Sequence, residues 1–354
     1  MIPKHKQAAH LLEGRTLDGG WVVGEKIEKS RDGSAGIYSC YYKVTQGDRK
    51  GFLKAFDYSS ASKISENFAA EIQNITATFN LEKEILEMCR DNGCKNVIEI
   101  LDTGATNIPE ADEYPRVEYL ILELADSNLN EALEDPNVTL EWKIKSLHQL
   151  AKGLSELHKL SIAHQDIKPS NVVKLSSGLT KVSDMGSAAS VKKAPSELPY
   201  HQRKNYAGTW SYAPPELLYN YVSDDNVVRR IGCDLYLLGS MIAFYFTNMN
   251  MTALIKNNLS DSLCWTDDNN KGKYESIKSY LIAAFEKALK DIESQIDHDF
   301  IKANVIEAVR YLCYPDPLKR GHKKNIAEIG SNYNLERFIS IFDLMARKLK
   351  LKQI

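Results

Sequence analysis

Two kinds of hydrophobic pattern divide this chain. From Trp21 to Leu124, short runs of β-branched and aromatic residues alternate with turn-forming clusters, whereas after Ala125 apolar residues recur at helical spacing. Trp21-Val22-Val23, Ile37 to Val44 and Gly51 to Phe56 read as strands of an antiparallel meander, with further strands expected over 96–101 and 118–124. Residues 60–90 read as one long helix with a break expected at Thr76-Ala77-Thr78; its second half puts Leu81, Ile85 and Met88 on one face. Thr139 is a good N-cap for a helix whose apolar stripe is Leu140, Ile144, Leu147, Ala151, Leu154 and Leu157. Amphipathic helices are expected over 274–289 and, with a basic face, over 332–350. The pattern therefore predicts an α+β chain in four parts. They are a loosely held leader (1–20) ending in Asp18-Gly19-Gly20, a small β-rich lobe (21–124), a larger helical lobe (125–330) and a packed C-terminal helix (331–354).

Composition narrows the function classes. With 43% hydrophobic and 26% charged residues the chain is neither a disordered segment nor a membrane bundle. Its 45 Lys and Arg nearly balance 47 Asp and Glu, so there is no electrostatic reason to expect nucleic acid. The six cysteines are scattered without a Cys-x-x-Cys pair, which favours reduced thiols over a disulfide framework or a zinc site. The first residues lack the apolar core of a signal peptide. The most apolar stretch, 235–246, is a buried helix, well short of the roughly 20 residues that span a bilayer. A cytoplasmic location and no membrane partner are expected. Nothing in the sequence speaks to oligomeric state.

The chemistry concentrates in His164-Gln165-Asp166-Ile167-Lys168-Pro169-Ser170-Asn171, a loop between a helical stretch and the short run Val172-Val173. Pro169 blocks continuation of a helix and pushes Lys168 towards an extended conformation. An Asp can orient a hydroxyl nucleophile and accept its proton. A Lys two residues on can neutralise a phosphoryl group, and an Asn oxygen can coordinate a hard cation. His164, after Ile162-Ala163, reads as a buried scaffold histidine. Thirteen residues after Asn171, Ser183-Asp184-Met185-Gly186 offers a second carboxylate beside a glycine.

Together these stretches resemble the catalytic loop and the metal-binding Asp-Phe-Gly motif of eukaryotic-type protein kinases, with Met185 for Phe. The resemblance covers about 21–322 and implies a bilobal kinase fold with ATP in the cleft. It gives Asp166 the substrate hydroxyl, Lys168 the γ-phosphate, and Asn171 with Asp184 the Mg²⁺ ion. Lys54 becomes the lysine that grips the α- and β-phosphates, and Glu84 its helix-borne partner, with Glu82 and Glu87 as competitors on neighbouring faces. Gly33 and Gly36 match two glycines of the phosphate-covering turn, where Arg31 replaces the first. Glu123 and Ala125 would present backbone groups to adenine, with Leu122 at the back of the pocket. Gly208 to Glu216 resembles the end of a kinase activation segment, and Thr209 with Lys168 is the Ser/Thr pattern. Asp234 would hold the catalytic loop's backbone, and Arg320 would pair with Glu216. Gln165 stands where kinases switched by activation-segment phosphorylation carry Arg, so basal activity independent of that modification is expected.

The implied activity is ATP- and Mg²⁺-dependent phosphorylation of Ser and Thr in protein substrates, with autophosphorylation included. A pseudokinase scaffold and an aminoglycoside-type phosphotransferase are the alternatives.

Overall fold

The computed structural model describes residues 7–28, 39–61, 67–112, 114–193 and 206–352. The chain divides into two compact units. The first runs through Asp126 and includes Leu175–Ser177 and Ser183–Gly186; the second holds the rest. The change of unit thus falls two residues after the expected boundary at 124, and the Asp184 stretch, expected in the helical lobe, clusters with the first unit.

The first unit is built on a five-stranded antiparallel sheet, with β1 (Val22–Ile27), β2 (Ser39–Gln46), β3 (Arg49–Phe56), β4 (Ile100–Asn107) and β5 (Arg116–Glu123) in the order β1-β2-β3-β5-β4. β4 begins four residues later than 96 and runs to Asn107. Asn96, Val97 and Ile98 are buried in the loop before it, and the strand itself, with Thr103, Gly104 and Thr106, lacks a clear apolar alternation. Strand residues alternate between faces. Tyr42, Val44, Leu53, Ala55 and Ile121 share one wholly buried face, and Lys54 and Phe56 project from the other.

The buried face has an unexpected cover. Ala8, Ala9, Leu12, Leu17 and Trp21 all join its hydrophobic core, so residues 7–20 are not a loosely held leader. Burying a Leu or Trp side chain contributes on the order of 2 kcal/mol, enough to hold a short segment against the sheet. On the other face lies helix α1 (Phe68–Asp91), capped by Asn67, whose side chain accepts from Ala70 N at 3.2 Å. Phe56 meets Phe79 edge-on at 5.1 Å. The expected break at 76–78 is absent. Thr76 and Thr78 Oγ1 donate to the carbonyls of Ile72 and Asn74 one turn back (2.9 and 2.7 Å), which satisfies both hydroxyls inside the helix.

In the second unit, β6 (Ser127–Asn128), β8 (Val172–Lys174) and β9 (Thr180–Val182) form one small sheet, and β7 (Ile162–Ala163) pairs with β10 (Ala189–Ser190). The helices are α2 (Leu129–Glu134), α3 (Leu140–Lys159), α4 (Pro215–Leu218), α5 (Gly232–Thr247), α6 (Met251–Asn257), α7 (Tyr274–Glu293), α8 (Asp299–Leu312), α9 (Lys324–Ile329) and α10 (Glu336–Lys350). Thr139 caps α3 through Trp142 N at 3.1 Å, as its position predicts. α5 is buried along most of its length, because its sequence is apolar on every side. α10 packs against α3 through Phe338, Phe342 and Met345, and Lys159 pairs with Glu336 at 2.9 Å. Among the described residues no helix is long and apolar enough to cross a membrane.

Candidate active site

In the first unit a lysine is buried between two carboxylates. Lys54 Nζ donates to both oxygens of Glu82 at 2.8 Å and to Asp184 Oδ1 at 3.0 Å. Burial alone would lower the pKa of this ammonium. Asp184 and Glu82 outweigh it and raise it above the ordinary lysine value. The same burial pushes the Glu82 carboxyl up while Lys54 pulls it down; with both oxygens on the ammonium, we read the pair as ionised. Asp184 sits at φ +62°, a strained conformation for a non-glycine residue, with its side chain one-third exposed. Met185, in place of the family's Phe, is fully buried, and its N–H donates to Glu82.

The partner of Lys54 is therefore Glu82, not the expected Glu84. Two residues along a helix turn the side chain by about 200°, and Glu84 is exposed while Glu82 is 1% exposed. The signal was in the sequence. Ile75, Phe79, Glu82, Leu86 and Cys89 recur at intervals of four and three, and Glu82 is the one acidic residue in that buried stripe.

In the second unit, β7 delivers the chain to the loop 164–171. Lys168 is extended (φ −152°, ψ 165°), as a residue before proline should be, and Pro169–Asn171 is a single 3₁₀ turn. Asp166 is held at every polar atom of its side chain. Oδ1 accepts from Thr209 N at 2.7 Å; Oδ2 accepts from Asn171 Nδ2 at 3.2 Å and lies 3.1 Å from Lys168 Nζ. Lys168 Nζ also donates to Thr209 Oγ1 at 2.8 Å. Because Asn171 Nδ2 is committed to Asp166 O (2.9 Å) as well, its amide oxygen is the atom suited to a cation. His164 is buried, and its Nδ1 accepts from Asp166 N, a scaffold role.

Beneath this loop lies Asp234, at the start of α5, where a helix dipole favours a carboxylate. It accepts from His164 N at 2.8 Å and Gln165 N at 2.7 Å, and contacts His158 Nε2 at 2.9 Å. Gln165, at φ +64°, donates its side-chain amide to Ser187 O. A Cβ on Gly208 would fall 2.1 Å from the Gln165 carbonyl, so only glycine admits this approach of the activation segment to the loop. Arg230 donates to Ser190 O at 2.9 Å; burial lowers its pKa to about 10. Arg320 grips Glu216 through two bonds of 2.9 Å, and this carboxylate outweighs the burial that would otherwise weaken the guanidinium.

Gly33 and Gly36 lie outside the described residues. Glu123 N donates to Glu99 O at 3.0 Å and Glu123 Oε1 accepts from Glu99 N at 2.8 Å, so the side chain ties β5 to the loop before β4. Ala125 is half-buried one residue before the first unit's main segment ends.

The family pattern of the protein kinase domain matches residues 35–327 of the sequence. The chain belongs to the protein kinase family. Similar proteins include extracellular signal-regulated kinase 2 of Dictyostelium discoideum, 28% identical over 58% of this chain and 56% of that protein. Cyclin-dependent kinase 9-A of Xenopus laevis is 28% identical over 51% of the chain and 50% of its own length. Stress-activated protein kinase jnk-1 of Caenorhabditis elegans is 30% identical over 51% of the chain and 37% of its own length. The kinase chain thus spans about half or less of the curated relatives it matches. In this kinase the constellation around Lys54 lies in the first unit and the one around Asp166 in the second.

Proposed function

We propose that this kinase transfers the γ-phosphoryl group of ATP, with Mg²⁺, to Ser and Thr hydroxyls of protein substrates and of its own chain. The observation that carries this reading is the Asp166 carboxylate, oriented by Thr209 N–H and Asn171 while Lys168 stands 3.1 Å away. An acceptor hydroxyl bonded to Asp166 would have its oxygen lone pair aimed at phosphorus and its proton at the carboxylate. The new O–P bond forms as the bond from phosphorus to the β-phosphate oxygen breaks; the hydroxyl proton passes to Asp166, and ADP leaves. Lys168 would meet negative charge on the moving phosphoryl group. Lys54, kept charged by Glu82 and Asp184, would grip the non-transferred phosphates.

The donor chemistry suits a hard cation. Asp184 carries a partly exposed carboxylate and Asn171 an amide oxygen, both oxygen ligands. Bound Mg²⁺ supplies charge neutralisation at the nucleotide's phosphates. Among the described residues no group of three or more His, Cys, Asp or Glu side chains could hold a metal alone, so such an ion would complete its shell with phosphate and water oxygens. Adenine recognition through Glu123 would use its carbonyl, because its N–H is already bonded to Glu99. The Lys168–Thr209 contact supports Ser and Thr as acceptors. Incubation with labelled ATP, Mg²⁺ and a generic protein substrate, followed by phosphoamino-acid analysis, tests the reading. Phosphoserine and phosphothreonine that vanish in Asp166→Ala are expected; label confined to tyrosine, or label persisting in the variant, overturns it.

A further inference from the structure

The segment that covers the sheet does more than fill an apolar face. Its far end is anchored across the sheet: Trp21 Nε1 donates to Asp102 Oδ2 on β4 at 3.0 Å, and Gly14 N donates to Val23 O on β1. Close to its start, Ala9 O accepts from the hydroxyl of Tyr42 on β2 at 2.8 Å. At its near end, His10 lies between charged groups from two other strands. Lys26 Nζ, on β1, is 2.7 Å from His10 Nδ1, and Asp57 Oδ2, directly after β3, is 3.8 Å from His10 Nε2. An ammonium can only donate, so Nδ1 is the acceptor and the neutral ring carries its proton on Nε2, towards Asp57.

Both tethered points adjoin stretches to which the proposed function assigns the nucleotide. Lys26 stands near the end of β1, the strand leading into residues 29–38. Asp57 follows Lys54 by three positions, and its Oδ1 accepts from Ser59 N at 3.1 Å, fixing the Tyr58–Ser60 turn. The Tyr58 hydroxyl in turn lies 3.3 Å from Thr76 Oγ1 on α1, the helix that bears Glu82. The register places Lys26 opposite Tyr42 and Tyr42 opposite Leu53, so β1 and β3 have β2 between them and do not touch directly. Only an element lying over the sheet can join them there.

We propose that the segment from Gln7 to Trp21 is a strap and His10 its positioning residue, tying β1 to the exit of the Lys54 strand and so setting the Lys54–Glu82 geometry that binds nucleotide. This rests on reading the chain as an ATP-dependent kinase. A grip on phosphates that do not react serves ground state and transition state alike, so loosening it raises KM for ATP and leaves kcat.

The experiment compares the full chain with His10→Leu, His10→Gln and Lys26→Met. His10→Leu is expected to raise both the ATP Kd, by calorimetry, and KM by roughly fivefold with kcat unchanged. His10→Gln, whose amide can accept from Lys26 and donate towards Asp57, restores both to within about twofold. Lys26→Met behaves as His10→Leu, and the pair together is no worse than either alone. Amide hydrogen exchange, which needs no nucleotide, should quicken at 58–60 and 76–82 in His10→Leu and not in His10→Gln. Unchanged exchange overturns the strap whatever the kinetics show, as does equal loss in both His10 variants or a loss confined to kcat. If Lys26→Met alone folds, its exchange and Kd decide the question in the same way. A wild-type chain that fails to bind ATP overturns the kinase reading alone, because the exchange result still judges the strap.

Discussion

Gln165 donates its side-chain amide to the backbone carbonyl of Ser187 at 2.9 Å. A neutral residue thereby makes a direct bond to the activation segment, at the position where an arginine would need a phosphate to pair with. Ser187 Oγ bonds Ala207 O at 3.1 Å, and Val191 N bonds Ser161 O at 2.9 Å, so this part of the segment is held without added charge. After phosphatase treatment, with residues 184–216 shown to be unmodified by mass spectrometry, the initial rate on an exogenous substrate should persist. A rate that collapses and returns on rephosphorylation would sink this expectation; Lys192 and Lys193 would then be the cations to examine.

Removing one member of a buried ion pair leaves the other charge uncompensated, at a cost of about 3–5 kcal/mol. Glu82→Gln should therefore cut phosphate transfer by roughly a hundredfold or more, and Lys54→Ala should do at least as much. Glu84→Gln, at an exposed position, should be silent. The reverse order in steady-state assays would mean that the Lys54–Glu82 contact is not the productive one.

In the proposed mechanism Asp166 and Asp184 act on different parts of the reaction, and neither sits at the centre of a hydrophobic core. Asp166→Ala and Asp184→Ala should each lower transfer by orders of magnitude, on the order of 10³-fold, while circular dichroism shows a folded chain. Near-wild-type turnover in either variant would remove that residue from the mechanism.

Glu216 and Arg320 contribute to folding rather than to chemistry. Arg320 is fully buried, also donating to Gly232 O and Tyr314 O, so Glu216→Ala should destabilise the second unit by about 3–5 kcal/mol. Denaturant titration would show it as an earlier midpoint. An unchanged midpoint would mean that solvent or another group replaces the carboxylate.

Acid should weaken the fold through His148 and His322. Burial, the largest cause for both, lowers their pKa values, so the folded chain favours the neutral rings. The unfolded chain binds more protons once the pH drops below its ordinary value of about 6.5. Stability conferred by the neutral rings is thus full above that pH, falls as the pH declines through the window down to the folded values, and then levels off. Thermal melts of His148→Gln between neutral and mildly acid pH should show a shallower decline than the wild type; an identical slope would exclude His148 as a contributor.

What the sequence by itself determined is chemistry carried by neighbours in the chain. Asp166, Lys168 and Asn171 lie within six residues, and Asp184 sits two before Gly186, so backbone geometry alone brings the members of each set together. Elements with strong periodicity, such as α3 and the apolar α5, were legible for the same reason: burial of one face, or of every face, leaves a pattern in the order of residues. Tertiary structure decided whatever depends on how two distant elements are phased. Glu82 rather than Glu84 faces Lys54 because the rotation of α1 is set by packing Ile75, Phe79, Leu86 and Cys89, and spacing from a later strand cannot report that angle. The reading of 1–20 as a loosely held leader fails for residues 7–20, whose Ala8, Ala9 and Leu12 form no regular run. They gain their place only when the folded sheet presents a second apolar face that water would otherwise cover. Gln165 looked like a missing cation, and only the fold shows the carbonyl that its amide meets.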